Sequence, residues 1–293
     1  MTRTKKTLFV AILGTLMIVI LYLAYYSASV RESIIFFPID EKANFISADT
    51  LLTLENNKKD MHYHVDWKIG STLDQEAYLR QDIGFLFMNG RLMGTMNEWS
   101  QKTDQILEEQ QIKGKESSLL QSISYHYAEI HNQEEEITSS QIMSSDTLYV
   151  IDSNFSPLNS FRKPSNSTEK EWKNIVDKVT SQQLDFAIEQ ALKESGLQQA
   201  HYDVYFLTEL SAFNDQPLPS FTKSQTDQII GNLWEGLYKN YFLGLQKKDG
   251  TTINPFGSTI PLILISKDQS HLYVLISTKE NNTITLKQII SIP

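Results

Sequence analysis

The longest unbroken apolar run comes first in the chain. Residues 7–30 carry no charge, and residues 8–26 are almost wholly apolar. A bilayer core about 30 Å thick is crossed by about 20 such residues in a helix, so the pattern predicts a transmembrane signal anchor over 7–30. Arg3, Lys5 and Lys6 precede it without an acid, whereas residues 31–42 set two basic residues against Glu32, Asp40 and Glu41. This asymmetry predicts a cytoplasmic tail of residues 1–6 and an exported remainder. Tyr22, Tyr25 and Tyr26 mark the outward end, where amphipathic rings suit the headgroup layer. Ser27-Ala28-Ser29 resembles a signal-peptide cleavage site, but the apolar run exceeds the roughly 7–15 residues of a cleaved leader.

Beyond the anchor the period drops to two. Residues 47–55 and 61–69 read as strands, the second with Tyr63, Val65, Trp67 and Ile69 on one face and His62, His64, Asp66 and Lys68 on the other. Residues 71–81, with a capping serine, early acids and no β-branched run, predict a short helix. Residues 83–88 and 91–96 flank Asn89-Gly90, the dipeptide of a type I′ turn. The implied hairpin pairs Met88 with Arg91, Phe87 with Leu92 and Leu86 with Met93. Both its faces are largely apolar, which predicts cover on each side.

The strand pattern continues over residues 105–152, where Leu119, Ile123, Tyr125 and Tyr127 alternate with Ser122, Ser124 and His126. Glu134 to Glu136 form an acidic loop tip. Residues 153–167, rich in Ser, Asn and Pro and without a period, predict a connection.

The period then becomes helical. Thr168 and Glu171 suggest a capping box. Trp172, Ile175, Val176, Val179, Leu184, Ile188, Ala191 and Leu192 form an apolar stripe, and Gly196 ends it. Thr222 with Gln225 caps a second helix striped by Ile229, Ile230, Leu233, Trp234, Leu237, Tyr238 and Tyr241. A strand at 202–207 lies between the helices, and strands at 260–266, 271–277 and 283–290 predict an antiparallel meander. The expected fold is α+β: a strand-rich exported subdomain over 31–152, the connection 153–167, and a helix–strand–helix plus three-stranded meander over 168–293. Whether these are one domain or two is open at this stage.

Charge narrows the function. Without Arg3, Lys5 and Lys6, 23 basic residues face 35 acidic ones, a balance of −12 for the exported part. Nucleic acid and anionic headgroups need clustered Lys and Arg, so neither is an expected ligand of that part. With no cysteine there is no disulfide, thiol nucleophile, thiolate metal site or lipidated cysteine. Abundant Lys, Asn, Gln, Ile and Ser without cysteine fits a bacterial envelope protein. Asn154, Asn166 and Asn281 head Asn-x-Ser/Thr triplets that matter only in a glycosylating host.

Few residues suggest chemistry. His62, His64 and Asp66 share a strand face about 7 Å apart and are weak metal-ligand candidates. His126, Glu129 and His131 lack the four-residue histidine spacing of zinc-peptidase helices, and on a strand the two histidines point to opposite faces. Ser167-x-x-Lys170 and Ser220-x-x-Lys223 match the Ser-x-x-Lys of penicillin-binding enzymes. Lys248-Asp249-Gly250 weakly echoes a second element of those enzymes, but no Ser-Asp-Asn lies between, and helix capping accounts for both serines. Trp67, Trp172 and Trp234 fall on apolar stripes, while Trp99 is a candidate sugar-stacking ring. No cofactor is expected. In the anchor, Ala11 and Thr15 are the one small-x-x-x-small pair, too little to drive helix dimerisation, so a monomer is expected. The best-supported function is a non-catalytic binding or regulatory domain whose partner is another membrane or envelope protein. The alternatives are an envelope hydrolase using unrecognised carboxylates and a small-ligand sensor.

Overall fold

The computed structural model describes residues 34–55, 61–131, 136–154, 156–246 and 251–291, together with Met17. Apart from Met17, the predicted anchor lies outside the described residues, as do Glu134 and Glu135 of the acidic loop and Lys248-Asp249-Gly250. No helix among the described residues is long and apolar enough to cross a membrane. The chain divides into two units, Met1–Ile34 and Ile35–Pro293; the second is described below.

Its larger sheet is built on one long hairpin. Strand β2 (Tyr63–Met88) and strand β3 (Arg91–Gly114) pair antiparallel about Asn89-Gly90. Both turn residues have positive φ, 50° and 77°, as a type I′ turn requires. Met88 faces Arg91 and Phe87 faces Leu92, as the sequence predicts, but Leu86 pairs with Gly94 rather than Met93. A bulge at Met93 causes the shift. It brings Gly94 beneath the Trp67 ring, where an added Cβ would lie 3.1 Å from Trp67 Cζ3, and Gly84 is tighter still at 2.8 Å from Cζ2. The displaced Met93 side chain turns outward.

Residues 71–81 are not a helix. They continue β2, and the irregularity between Thr72 and Ala77 leaves Asp74, Gln75 and Glu76 exposed. The local preference for helix loses to pairing with β3 on both sides of this point. Here β2 changes its second partner as well. Its first half pairs with β1 (Phe45–Leu54), and its second half pairs with β4 (Ser118–His131). Beyond β4 follow β5 (Ile137–Ser153) and β6 (Ser156–Phe161), all antiparallel.

The two halves of β2 fold over one another. Leu52, Val65, Trp67 and Ile69 from one half of the sheet share a core with Leu86, Leu120, Leu148 and Val150 from the other. The faces alternate as the period of two requires: Tyr63, Val65, Trp67 and Ile69 are all fully buried.

The predicted connection 153–167 therefore contains a strand. Phe161 pairs with Tyr149 and stacks on its ring at 5.3 Å, which adds a sixth strand where composition suggests a loop. Pro157 is tolerated because β6 lies at the sheet edge.

Helix α1 (Ser167–Ser195) starts two residues earlier than a Thr168 cap implies. The Asn166 side chain accepts the Glu169 N–H at 2.9 Å, and Gly196, at φ 66°, closes the other end. Helix α2 (Lys223–Leu237) carries the predicted reciprocal Thr222–Gln225 box. It continues into a π-type turn, Tyr238–Phe242. Strands β7 (Tyr202–Phe206), β10 (Leu262–Ser266), β11 (His271–Ser277) and β12 (Thr283–Ile289) form a second antiparallel sheet in the order β12-β11-β10-β7. Short β8 (Leu245–Gln246) and β9 (Thr252–Ile253) pair alone. α1 lays Ala191, Ile188 and Leu192 on Leu262, Leu264 and Leu275 of the second sheet. α2 covers the outer face of β2 and β4 through Trp234, stacked on Tyr125 at 4.9 Å and Phe85 at 5.7 Å. The architecture is α+β and mostly antiparallel.

Candidate functional site

Where the two layers of the large sheet meet, one end of the interior is polar. β1 contributes Thr50; β2 contributes Ser71, Arg80 and Asp82; β4 contributes Ser124 and His126; β5 contributes Ser144. Strand register assembles them: Asp82 lies opposite His126, and Ser124 opposite Ser144.

The contacts form one continuous network. Asp82 Oδ2 is 2.7 Å from His126 Nδ1, and His126 Nε2 is 2.7 Å from Ser144 Oγ. This is the order and spacing of a Ser-His-Asp relay. Ser71 Oγ donates to the Asp82 carboxylate, at 2.7 Å from Oδ2. Arg80 donates from Nη2 to Ser71 Oγ and from Nη1 to the Asp104 carbonyl at 2.5 Å. Its Nη2 also lies 3.8 Å from Asp82 Oδ1, and its guanidinium sits 4.9 Å from the centre of the Phe45 ring. Arg80, Asp82, Ser124 and His126 have no exposed surface. Burial pushes the Arg80 guanidinium below its ordinary value, against the pull of Asp82 and Asp104.

Thr50 extends the relay by a further hydroxyl. Thr50 Oγ1 donates to Ser124 Oγ at 2.7 Å, and it lies 2.6 Å from Ser144 Oγ. A hydroxyl has one proton. The Ser144 hydroxyl has two neighbours within hydrogen-bond distance, Thr50 Oγ1 and His126 Nε2, and one proton to share between them. A nucleophilic serine gives that proton to the imidazole, and here Thr50 competes for it. The backbone offers no substitute. The Met143 N–H and carbonyl both bond to the Asn214 side chain, at 3.0 and 2.7 Å. Strand alternation therefore turns the Ser144 amide into the ladder with Ser124, where it is unavailable as an oxyanion donor. An outer-face recess of about 350 Å³ between β1, β2 and β3 is lined by Thr50 and Ser71 but not by Asp82, His126 or Ser144.

One further titratable group faces this end. Glu108, on the same face of β3 as Ile106 and Ile112, is half-buried, and its Oε1 has no hydrogen-bond partner. Burial, and then the charges of Glu98 and Asp82, push its carboxyl up to about 7 from 4.5. Because the folded value is the higher one, ionised Glu108 opposes folding fully above about pH 7 and not at all below 4.5. Glu108→Gln is expected to raise stability by about 1 kcal/mol at alkaline pH, a figure discounted for partial exposure. Urea unfolding across pH should show that gain shrinking to nothing as pH falls towards 4.5.

The sequence candidates land elsewhere. His64 is buried, 3.9 Å from Glu55, and Asp66 accepts from Gln111 at 3.1 Å. Among the described residues no group of three or more His, Asp or Glu is placed to hold a metal ion, so His62, His64 and Asp66 do not converge. His126 and His131 do point to opposite faces: His126 is buried, while His131 stacks on Tyr78 at 3.7 Å. Ser167 opens α1, and Lys223 pairs with Asp227 one turn along α2. Trp67 and Trp234 are core, Trp172 is half-buried and Trp99 is exposed. The polar network is the feature that sequence reasoning does not find. Its one trace is that Ser122, Ser124 and His126 form a strand face without lysine or glutamate, too small and too weakly charged to require water. The chain matches no protein-family model, no curated protein and no solved structure.

Proposed function

We propose that this chain is a single-pass membrane protein whose exported domain binds or regulates another membrane or envelope protein and is not catalytic. The observation that carries the reading is burial: Asp82 and His126 have no exposed surface, and the recess between β1, β2 and β3 does not reach them. The acid, imidazole and hydroxyl that line up at relay distances join Thr50 in a network inside the folded sheet. The network ties β1 to β4 and β5 and β2 to β4, which is what holds a folded-over sheet closed. Its chemistry is spent on shape. The charge-free segment at 7–30 and the basic residues before it support the tether and the orientation.

A serine-hydrolase reading has one observation in its favour, the pair of 2.7 Å contacts through His126. It requires the Ser144 hydroxyl to donate to Nε2 and a path for substrate to a buried acid and imidazole. A fluorophosphonate probe separates the readings. Membranes carrying the full chain should show no labelling at Ser144, and crosslinking before mild-detergent extraction should recover a reproducible envelope partner. Covalent labelling lost in Ser144→Ala would overturn the non-catalytic reading.

A further inference from the structure

Helix α1 is apolar on two faces. One stripe, Val176, Thr180, Leu184, Ala187 and Ala191, is buried in the domain. The other is not: Ile175, Val179 and Phe186 are 63%, 49% and 66% exposed. With half-buried Trp172 and exposed Gln182, these positions fall at alternating intervals of three and four, the spacing of a helix–helix seam. At 3.6 residues per turn this seam lies roughly a third of a turn round from the buried stripe. A helix packed on one face has no internal use for the second.

We propose that this seam is a self-association surface, on which α1 of a second copy of the chain packs antiparallel about a two-fold axis passing between Thr180 and Ser181. The proposal does not rest on the non-catalytic reading above. Its argument is self-complementarity, the condition that a two-fold interface imposes. The axis carries Ile175 onto Phe186 of the second copy, an apolar contact that symmetry makes twice, sets Val179 beside Gln182, and leaves Trp172 beside Glu189 at each end. Exposed Lys178 and Asp185 flank the seam on its outer side, and neither makes an ion pair among the described residues. The same axis brings Lys178 opposite Asp185 of the second copy, again twice. Parallel packing would instead set Lys178 across from Gln183 and Asp185 across from Gln190, with no opposite charge for either. Farther out, Glu171 meets both Glu189 and Lys193 of the second copy, and these offset each other. An unrelated partner gives no reason for a helix to match itself reversed.

The seam spans about two heptads, less than the roughly 800 Å² per partner of a standard stable interface. The expected dimer is therefore weak in dilution, with a dissociation constant in the micromolar range or above. Tethering to one membrane would raise the effective concentration of the partners; that clause alone depends on the anchor.

Sedimentation velocity of the full chain in detergent, across a concentration series, tests the proposal. The wild type should self-associate. Phe186→Glu should weaken the dimer at least about tenfold, by burying a charge against Ile175. Lys178→Glu should weaken it about three- to tenfold, and adding Asp185→Lys should restore it, because both charges swap together. Melting temperatures should stay level, since all these side chains are exposed. A chain that stays monomeric throughout, a dimer indifferent to Phe186→Glu, or a double swap without rescue would overturn the proposal. So would a Phe186→Glu variant that loses binding to lipid vesicles while its self-association is unchanged.

Discussion

Asp82→Ala is expected to cost about 3–5 kcal/mol of unfolding free energy, the range for removing one partner of a buried ion pair. Arg80 has no exposed surface, and its nearest carboxylate is that of Asp82, 3.8 Å away. Deleting the acid strands the guanidinium where water cannot replace it. It also takes the acceptor from His126 Nδ1 and from the Ser71 hydroxyl. Ser144→Ala removes only neutral hydroxyl contacts and should cost about 1 kcal/mol. Urea unfolding of both variants measures the contrast. A loss below about 1 kcal/mol for Asp82→Ala would mean that the sheet opens enough to hydrate Arg80, and the network would then not be what closes the fold.

Trp234→Ala should cost a similar 3–5 kcal/mol, through a cavity rather than a charge. The indole is fully buried between α2 and the outer face of the sheet, stacked on Tyr125 and Phe85. Its N–H donates to Met143 Sδ at 3.3 Å, so no smaller side chain reproduces both the area and the bond. For a chain this long the loss corresponds to a fall in melting temperature of roughly 10 °C. Trp234→Phe keeps most of the aromatic surface and should lose less than half as much. Equal effects of the two substitutions would show that the Met143 contact, not the packed volume, dominates.

Some elements are legible because the signal is local. Asn89-Gly90 specifies its turn, Thr222 and Gln225 cap α2, and Gly196 ends α1, each through backbone geometry that a few neighbouring residues decide. The meander of β10, β11 and β12 follows from three short runs of strand formers. Residues 71–81 mislead because Leu73, Asp74, Gln75, Glu76 and Ala77 favour a helix in isolation, while pairing on either side holds them in β2. The α1 stripe misleads for a related reason. Ile175 and Val179 sit next to Val176 and Thr180 in the sequence, and periodicity cannot say which of two adjacent stripes meets the core.

By itself the sequence determined the order and type of most elements, the α+β class, the start of α2, the end of α1 and the hairpin turn. Those features depend on side-chain period and on φ preferences within a few residues. Only the tertiary structure decided that β2 changes partners midway and folds over, that Met93 bulges so that Trp67 can sit on Gly94, and that a strand face of Ser122, Ser124 and His126 lies inside. Asp82, His126 and Ser144 are separated by 44 and 18 positions, and their contact depends on strand register and the bend of one sheet. A period of two says which residues share a face; it takes the packing of one layer on another to say whether that face meets water.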